Sequence, residues 1–154
     1  MKKRIIALFA IVGMCLFASC DKEGISDNSL TGTWICVKEV ETMSDGTVFT
    51  FTDKSDWSIN GGKAVFPYLL TFSSDGVVTG KTFLEVDATP TSYSVKGEYI
   101  YDLGIQWAKI ASNEGKTLVL ELAESALELN NLAIETLYPR EPLYVKVVAT
   151  YNKK

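Results

Sequence analysis

Leu30-Thr31-Gly32-Thr33-Trp34-Ile35-Cys36-Val37-Lys38-Glu39 opens a part of the chain that reads as β-strand almost to its end. Downstream of it, Phe49 and Phe51 alternate with Thr50 and Thr52, and Phe66, Tyr68, Leu70 and Phe72 fall on one face of the next run. Leu118, Leu120 and Leu122 alternate with Thr117, Val119 and Glu121. In the last run Leu143, Val145, Val147, Ala149 and Tyr151 share a face, against Tyr144, Lys146, Val148 and Thr150. Alternation with a period of two over segments of this length is the signature of half-buried antiparallel strands.

The turns between these runs are written in the sequence. Ser44-Asp45-Gly46 separates "TWICVKEVETM" from "TVFTF", and Ser74-Asp75-Gly76 separates "YLLTFS" from "VVTGKTF". Asp-Gly suits tight hairpins because glycine accepts the positive φ such turns require. Asn113-Glu114-Gly115-Lys116 gives another turn. Asn130-Asn131 reads as a turn joining "ALEL" to "LAIETL", since asparagine tolerates left-handed backbone; a short helix over 124–137 is the alternative. Eight to ten short strands with no long helical period suit either a sandwich or a closed barrel, and a barrel removes the exposed edges.

The first thirty residues carry an address. Met1-Lys2-Lys3-Arg4 is a positive cap on the apolar run Ile5 to Leu16, which is shorter than the roughly 20 residues a membrane span needs. This is the pattern of a secretory signal peptide. It ends at Phe17-Ala18-Ser19-Cys20, after which Asp21-Lys22-Glu23-Gly24 is polar at once. The junction resembles the lipobox of bacterial lipoproteins, which implies cleavage before Cys20 and lipid chains, palmitate among them, on that cysteine. Cys15 does not fit, because Met14 precedes it and Leu16-Phe17 continue the apolar run. Two or more chains hold firmly where one binds reversibly. Residues 1–19 thus read as signal peptide, 20–29 as lipidated cysteine and polar tether, and 30–154 as one domain. A coil the length of the tether spans roughly 15 to 20 Å, which keeps the domain close to the membrane without embedding it.

Composition narrows the function. Cleavage leaves 135 residues, enough for one core, with 12 basic against 19 acidic residues. That balance argues against a nucleic-acid partner, which calls for clustered Lys and Arg, and against adhesion to anionic lipid. The membrane is expected as a partner only through Cys20. The chain has no histidine, so the commonest general base and metal ligand are missing, and no cofactor or metal is implied. The acids show no local constellation of the kind carboxylate-pair catalysis uses, and the protein is read as a non-enzyme. Cys36, without a partner in the domain, is expected to be a small buried apolar residue.

Gly32-Thr33-Trp34 opens the first strand as the Gly-x-Trp motif opens the first strand of lipocalins and related calycin barrels. Lipobox, tether, motif and about eight strands together resemble the bacterial lipocalin-like lipoproteins. "LLTFSSDGVV" (Leu69 to Val78) resembles their second hairpin, and the residues leading to "VKVVATYNKK" their final pair of strands. The resemblance implies an antiparallel up-and-down barrel of about eight strands, Gly32 at a tight backbone approach near the closed end, and Trp34 as the plug beneath the core. Lipocalins usually lay an arginine of the last strand across that tryptophan. No arginine lies in the last strand here, and Lys153 or Lys154 could cover the ring instead.

An eight-stranded barrel either fills with its own side chains or holds one small ligand. Phe49, Phe51, Phe66, Tyr68, Leu70 and Phe72 are the candidates for lining it, and Trp57, in the connection "DKSDWSINGGKA" (53–64), is a possible lid. The expected function is a membrane-anchored lipocalin-like lipoprotein that binds a small apolar ligand or acts as an envelope scaffold. The alternative is a protein-binding barrel such as a protease inhibitor, although such barrels normally close a disulfide that Cys36 cannot. Asp21 directly after the lipidated cysteine resembles an inner-membrane retention signal of enteric bacteria, whereas acidic residues there, Asp21 and Glu23 around Lys22, resemble a surface-export signal of another large Gram-negative group. Signal, lipobox and barrel pattern together resemble the second group more, which implies the bacterial outer membrane, on its surface or its periplasmic face.

Overall fold

The computed structural model describes residues 27–52, 65–82 and 87–154. The short helix α1 (Asp27–Leu30) leads into β1 (Gly32–Met43) and β2 (Val48–Phe51). Then come β3 (Leu69–Phe72), β4 (Val77–Lys81), β5 (Thr91–Lys96), β6 (Tyr99–Asp102), β7 (Ile105–Asn113) and β8 (Thr117–Leu122). Helix α2 (Glu124–Leu137) precedes the last strand, β9 (Tyr144–Lys153).

Neighbouring strands are antiparallel throughout, and pairing of β9 with β1 closes the sheet into an up-and-down barrel of eight strands, β1 and β3 to β9. The ninth strand, β2, shares one edge of β1 with β3: β3 pairs with Gly32–Ile35 and β2 with Glu39–Thr42. Closure is what β1 needs at twelve residues, since a strand this long would otherwise leave a row of unpaired backbone groups. The expected hairpins are in place, with Gly46, Gly76 and Gly115 at φ of 85°, 79° and 80°. At the second of them the Ser73 hydroxyl also donates to the Asp75 carboxylate, and its oxygen accepts the Val77 N–H at 3.1 Å.

Two β-bulges decide which side chains point inward. Cys36 faces Tyr151 and Lys38 faces Thr150, so Val37 is an extra residue on β1. Further along, Thr42 faces Lys146 and Met43 faces Tyr144, so Val145 is the extra residue on β9. Because side chains alternate with a period of two, one inserted residue exchanges the faces beyond it. Trp34 and Cys36 are therefore buried on one side of the first bulge, and Glu39, Glu41 and Met43 on the other, while Val37 and Lys38 are exposed. On β9 the second bulge corrects the sequence reading at one end: Val147, Ala149 and Tyr151 are buried as expected, but Val145 is 55% exposed and Tyr144 turns in.

The segment 124–137 is a helix, not a pair of strands about an asparagine turn. Glu, Ala and Leu are good helix formers, and Ala126, Asn130 and Ile134 recur at four-residue spacing on one face. Ala126 is buried, and Leu127 and Ile134 pack against the core. Asn131 fastens the helix to the barrel: its Nδ2 donates to the Tyr144 carbonyl at 2.9 Å, and its Oδ1 accepts the Tyr144 N–H at 2.8 Å. The Ser125 hydroxyl donates to the Gln106 carbonyl at 2.6 Å and anchors the first turn on β7.

Candidate ligand-binding site

The two ends of β1 are built differently. At its beginning Trp34 is fully buried, and its Nε1–H donates to the Leu30 carbonyl at 2.7 Å. Lys153 Nζ lies 5.1 Å from the centroid of the indole ring, the place the resemblance gives to a covering cation. Gly32 sits below that lysine at φ 128°, where a Cβ would come within 2.7 Å of Lys153 Cε. Leu30, itself fully buried, completes the plug, and Asn113 Nδ2 donates to Ser29 Oγ at 3.3 Å beside it. Above the plug the interior is filled by Cys36, Leu70, Phe72, Ile100, Leu118, Leu120, Ala149 and Tyr151, all buried. Tyr151 donates its hydroxyl to the Pro67 carbonyl at 2.7 Å and so satisfies its one polar group.

About seven residues further along β1, roughly 23 Å of extended chain, lies a cavity of about 420 Å³. Its lining comes from four elements and the segment before β9: Glu41 and Met43 of β1, Phe49 and Phe51 of β2, Ile134 and Leu137 of α2, and Tyr144 of β9, with Glu141 and Pro142 at the rim. Antiparallel register explains the grouping, since Phe49 is directly opposite Glu41 and Phe51 directly opposite Glu39. Opposed residues share a face of the sheet. The volume falls in the range of pockets that take small organic ligands.

Glu41 lines the cavity, and Glu39 is buried beside it on the same face of β1. Glu39 and Glu41 are 0% and 2% exposed. Glu39 Oε1 accepts the Val65 N–H at 2.8 Å and its Oε2 accepts the Phe66 N–H at 3.3 Å. Burial raises the Glu39 carboxyl from 4.5 to about 7, against the lowering effect of these two N–H donors and of a hydrogen bond with the Glu41 side chain. Two buried carboxyls in hydrogen-bond contact resist ionising together. The same environment acts on its neighbours. Burial, then the charge of Glu39, pushes the Cys36 thiol up to about 12, which leaves it a neutral core residue and an unreactive one. Burial, with Glu41 and Glu39 adding, keeps the Tyr144 phenol protonated well above its ordinary range.

The sequence candidates divide between cavity and core. Phe49 and Phe51 line the cavity with ring centroids 6.5 Å apart. Phe66, Leu70 and Phe72 are buried in the core, and Tyr68 is half-buried against it. Phe66 packs on Trp107 at 5.6 Å and Phe72 on Tyr93 at 4.9 Å, edge to face. Trp57 and Cys20 lie outside the described residues. Sequence reading missed Glu39 and Glu41 as site residues. Their one signal was the apolar Met43 two positions beyond, which would have placed all three on one face. Among the described residues no group of three or more His, Cys, Asp or Glu is placed to hold a metal ion. No family model, no curated protein and no solved structure matches the chain.

Proposed function

We propose that this protein is a membrane-anchored, lipocalin-like lipoprotein that binds a small apolar molecule in the cavity at the mouth of its barrel. The single observation that carries the reading is the contrast between the two ends: one is plugged by Trp34 and Leu30, and the other holds about 420 Å³ under apolar walls. A scaffold has no need of such a space, because a void lined by Met, Phe and Ile forfeits packing contacts. The carboxyl pair does not favour hydrolysis. Glycosidases set two carboxyls about 5 Å or more apart to straddle a bond, whereas Glu39 and Glu41 hydrogen-bond to each other.

The anchor rests on Phe17-Ala18-Ser19-Cys20 and the polar tether behind it. The protein is assigned to the outer membrane, held by the lipid on Cys20 with the barrel beside the bilayer. Cys20→Ser should abolish labelling of the protein by radioactive palmitate, and Cys15→Ser should leave it intact. Persistent labelling of the Cys20→Ser variant would remove the lipoprotein assignment.

Ligand binding is tested by native mass spectrometry of the chain from Asp21 onward, produced without the signal and purified without detergent. A co-purifying apolar mass is expected. A protein that is bare after purification, and that takes up none of a panel of medium-chain alkyl compounds, would show that the cavity holds no ligand of this kind.

A further inference from the structure

We infer that the ligand is a neutral amphiphile, an apolar chain ending in a hydroxyl group, whose hydroxyl donates to Asn130 Oδ1. The inference rests on the proposed use of the cavity and specifies the chemistry of its occupant.

Asn130 is the first argument. It lines the cavity from α2, on the face it shares with Ala126, which is in the core, and Ile134, which packs against it. An asparagine among such neighbours gives up apolar packing and is a poor helix former. Its Nδ2 donates to the Ala126 carbonyl one turn back, at 2.8 Å. That bond orients the amide and leaves Oδ1 without a partner among the described residues. The adjacent Asn131, by contrast, spends both of its amide atoms on the Tyr144 backbone and so has a structural task. The polar atom that the fold does not use at Asn130 is thus an acceptor on the cavity wall. A ligand hydroxyl is a neutral group that supplies the matching donor.

Charge is the second argument, and it disfavours an ionised head. The charged residues of the lining, among those described, are Glu41 and Glu141, and no lysine or arginine joins them. A fatty acid, the obvious alternative for an apolar pocket, would bring its carboxylate beside like charges with no cation to offset the cost of burial. An ammonium head is not called for either. Glu41 already has a hydrogen-bond partner in the Glu39 side chain, and Glu39 in turn accepts the Val65 and Phe66 N–H groups. Beyond the Asn130 amide, Phe49, Phe51, Ile134 and Leu137 offer an alkyl chain apolar contact.

The test uses four probes of similar length: octanol, its isomer heptyl methyl ether, octanoate and octylamine. Each is titrated against the mature lipoprotein in phosphatidylcholine nanodiscs at pH 7, with empty nanodiscs as the reference for partition. Apparent Kd is read from the ligand-dependent rise in the thermal unfolding midpoint. Octanol should bind at least about three-fold more tightly than the ether, which accepts a hydrogen bond but cannot donate one. Octanoate should bind at least about ten-fold more weakly than octanol, and octylamine no more tightly than octanol. Asn130→Leu, which keeps the size and suits a helix, should abolish the advantage of octanol over the ether without weakening the ether. Equal binding of octanol and ether to the unaltered protein, or an octanol advantage that survives Asn130→Leu, would overturn the hydroxyl ligand and leave the apolar cavity standing. Tighter binding of octanoate or octylamine than of octanol would do the same. Failure of every probe to bind would overturn the ligand-binding reading itself. Should Asn130→Leu not fold, the ranking of the four probes on the unaltered protein decides the matter alone.

Discussion

Trp34→Ala should lower the stability of the domain by about 3 to 5 kcal/mol, the usual cost of truncating a fully buried aromatic side chain. Three contacts would go at once. The indole is 0% exposed and supports the bottom of the core; its Nε1–H serves the Leu30 carbonyl at 2.7 Å; and its face meets Lys153 Nζ at 5.1 Å. These contributions can be separated. Trp34→Phe keeps much of the apolar volume but leaves the buried Leu30 carbonyl without its donor, a penalty of about 1 to 3 kcal/mol. Lys153→Ala removes a cation–π contact at a residue open to water, which contributes about 0.5 to 1 kcal/mol. Urea denaturation of the three variants should rank them in that order. A loss below about 1 kcal/mol for Trp34→Ala would mean that the plug does not hold the barrel together.

The plug was legible in the sequence because it is local. Gly32-Thr33-Trp34 sits at the start of a strand, and a glycine two positions before a tryptophan needs no distant partner to be noticed. The hairpins were legible for the same reason, since Asp-Gly states its own backbone conformation. The candidate site was not. Strict alternation from Trp34 sends Glu39 and Glu41 outward with Ile35, as ordinary solvated acids; only the extra residue at Val37 turns them in. A bulge of this kind is created by pairing with β9, more than a hundred residues away, and within "TWICVKEVETM" only the apolar Met43 hints at it. Glu124–Leu137 was left between strands and a short helix through a related ambiguity, and the helix is what forms. Its apolar residues alternate closely enough to pass for strands, while the spacing of Ala126, Asn130 and Ile134 is helical. Asn131 then serves not as a turn but as a two-bonded clamp on Tyr144.

The buried carboxyl pair should make the protein more stable in mild acid than in mild base, the reverse of what salt-bridged acids give. In the unfolded chain Glu39 titrates at its ordinary value near 4.5; in the barrel, burial above all raises it to about 7. Between those values the folded state keeps a proton that the unfolded state has released. Stability therefore falls as pH rises through this window, because the state that binds more protons is favoured by acid. The contribution is complete below about pH 4.5 and lost above about pH 7, and a separation of this size corresponds to an effect of order 3 kcal/mol. The other perturbed groups titrate outside the window. Cys36, Tyr144 and Tyr151, which face the pair, all have raised values and stay neutral throughout it. Asp45 and Asp75 are exposed, and hydrogen bonds with Thr47 and Ser73 lower them, so their stabilisation is lost only in stronger acid. Unfolding free energies from urea melts at pH 5 and pH 8 should then differ mainly through Glu39. Glu39→Gln imitates the protonated acid and should flatten the difference, at a constant cost for the one N–H of Val65 or Phe66 that glutamine's single acceptor leaves unserved. Equal stability of the unaltered protein at the two pH values would show that Glu39 ionises freely.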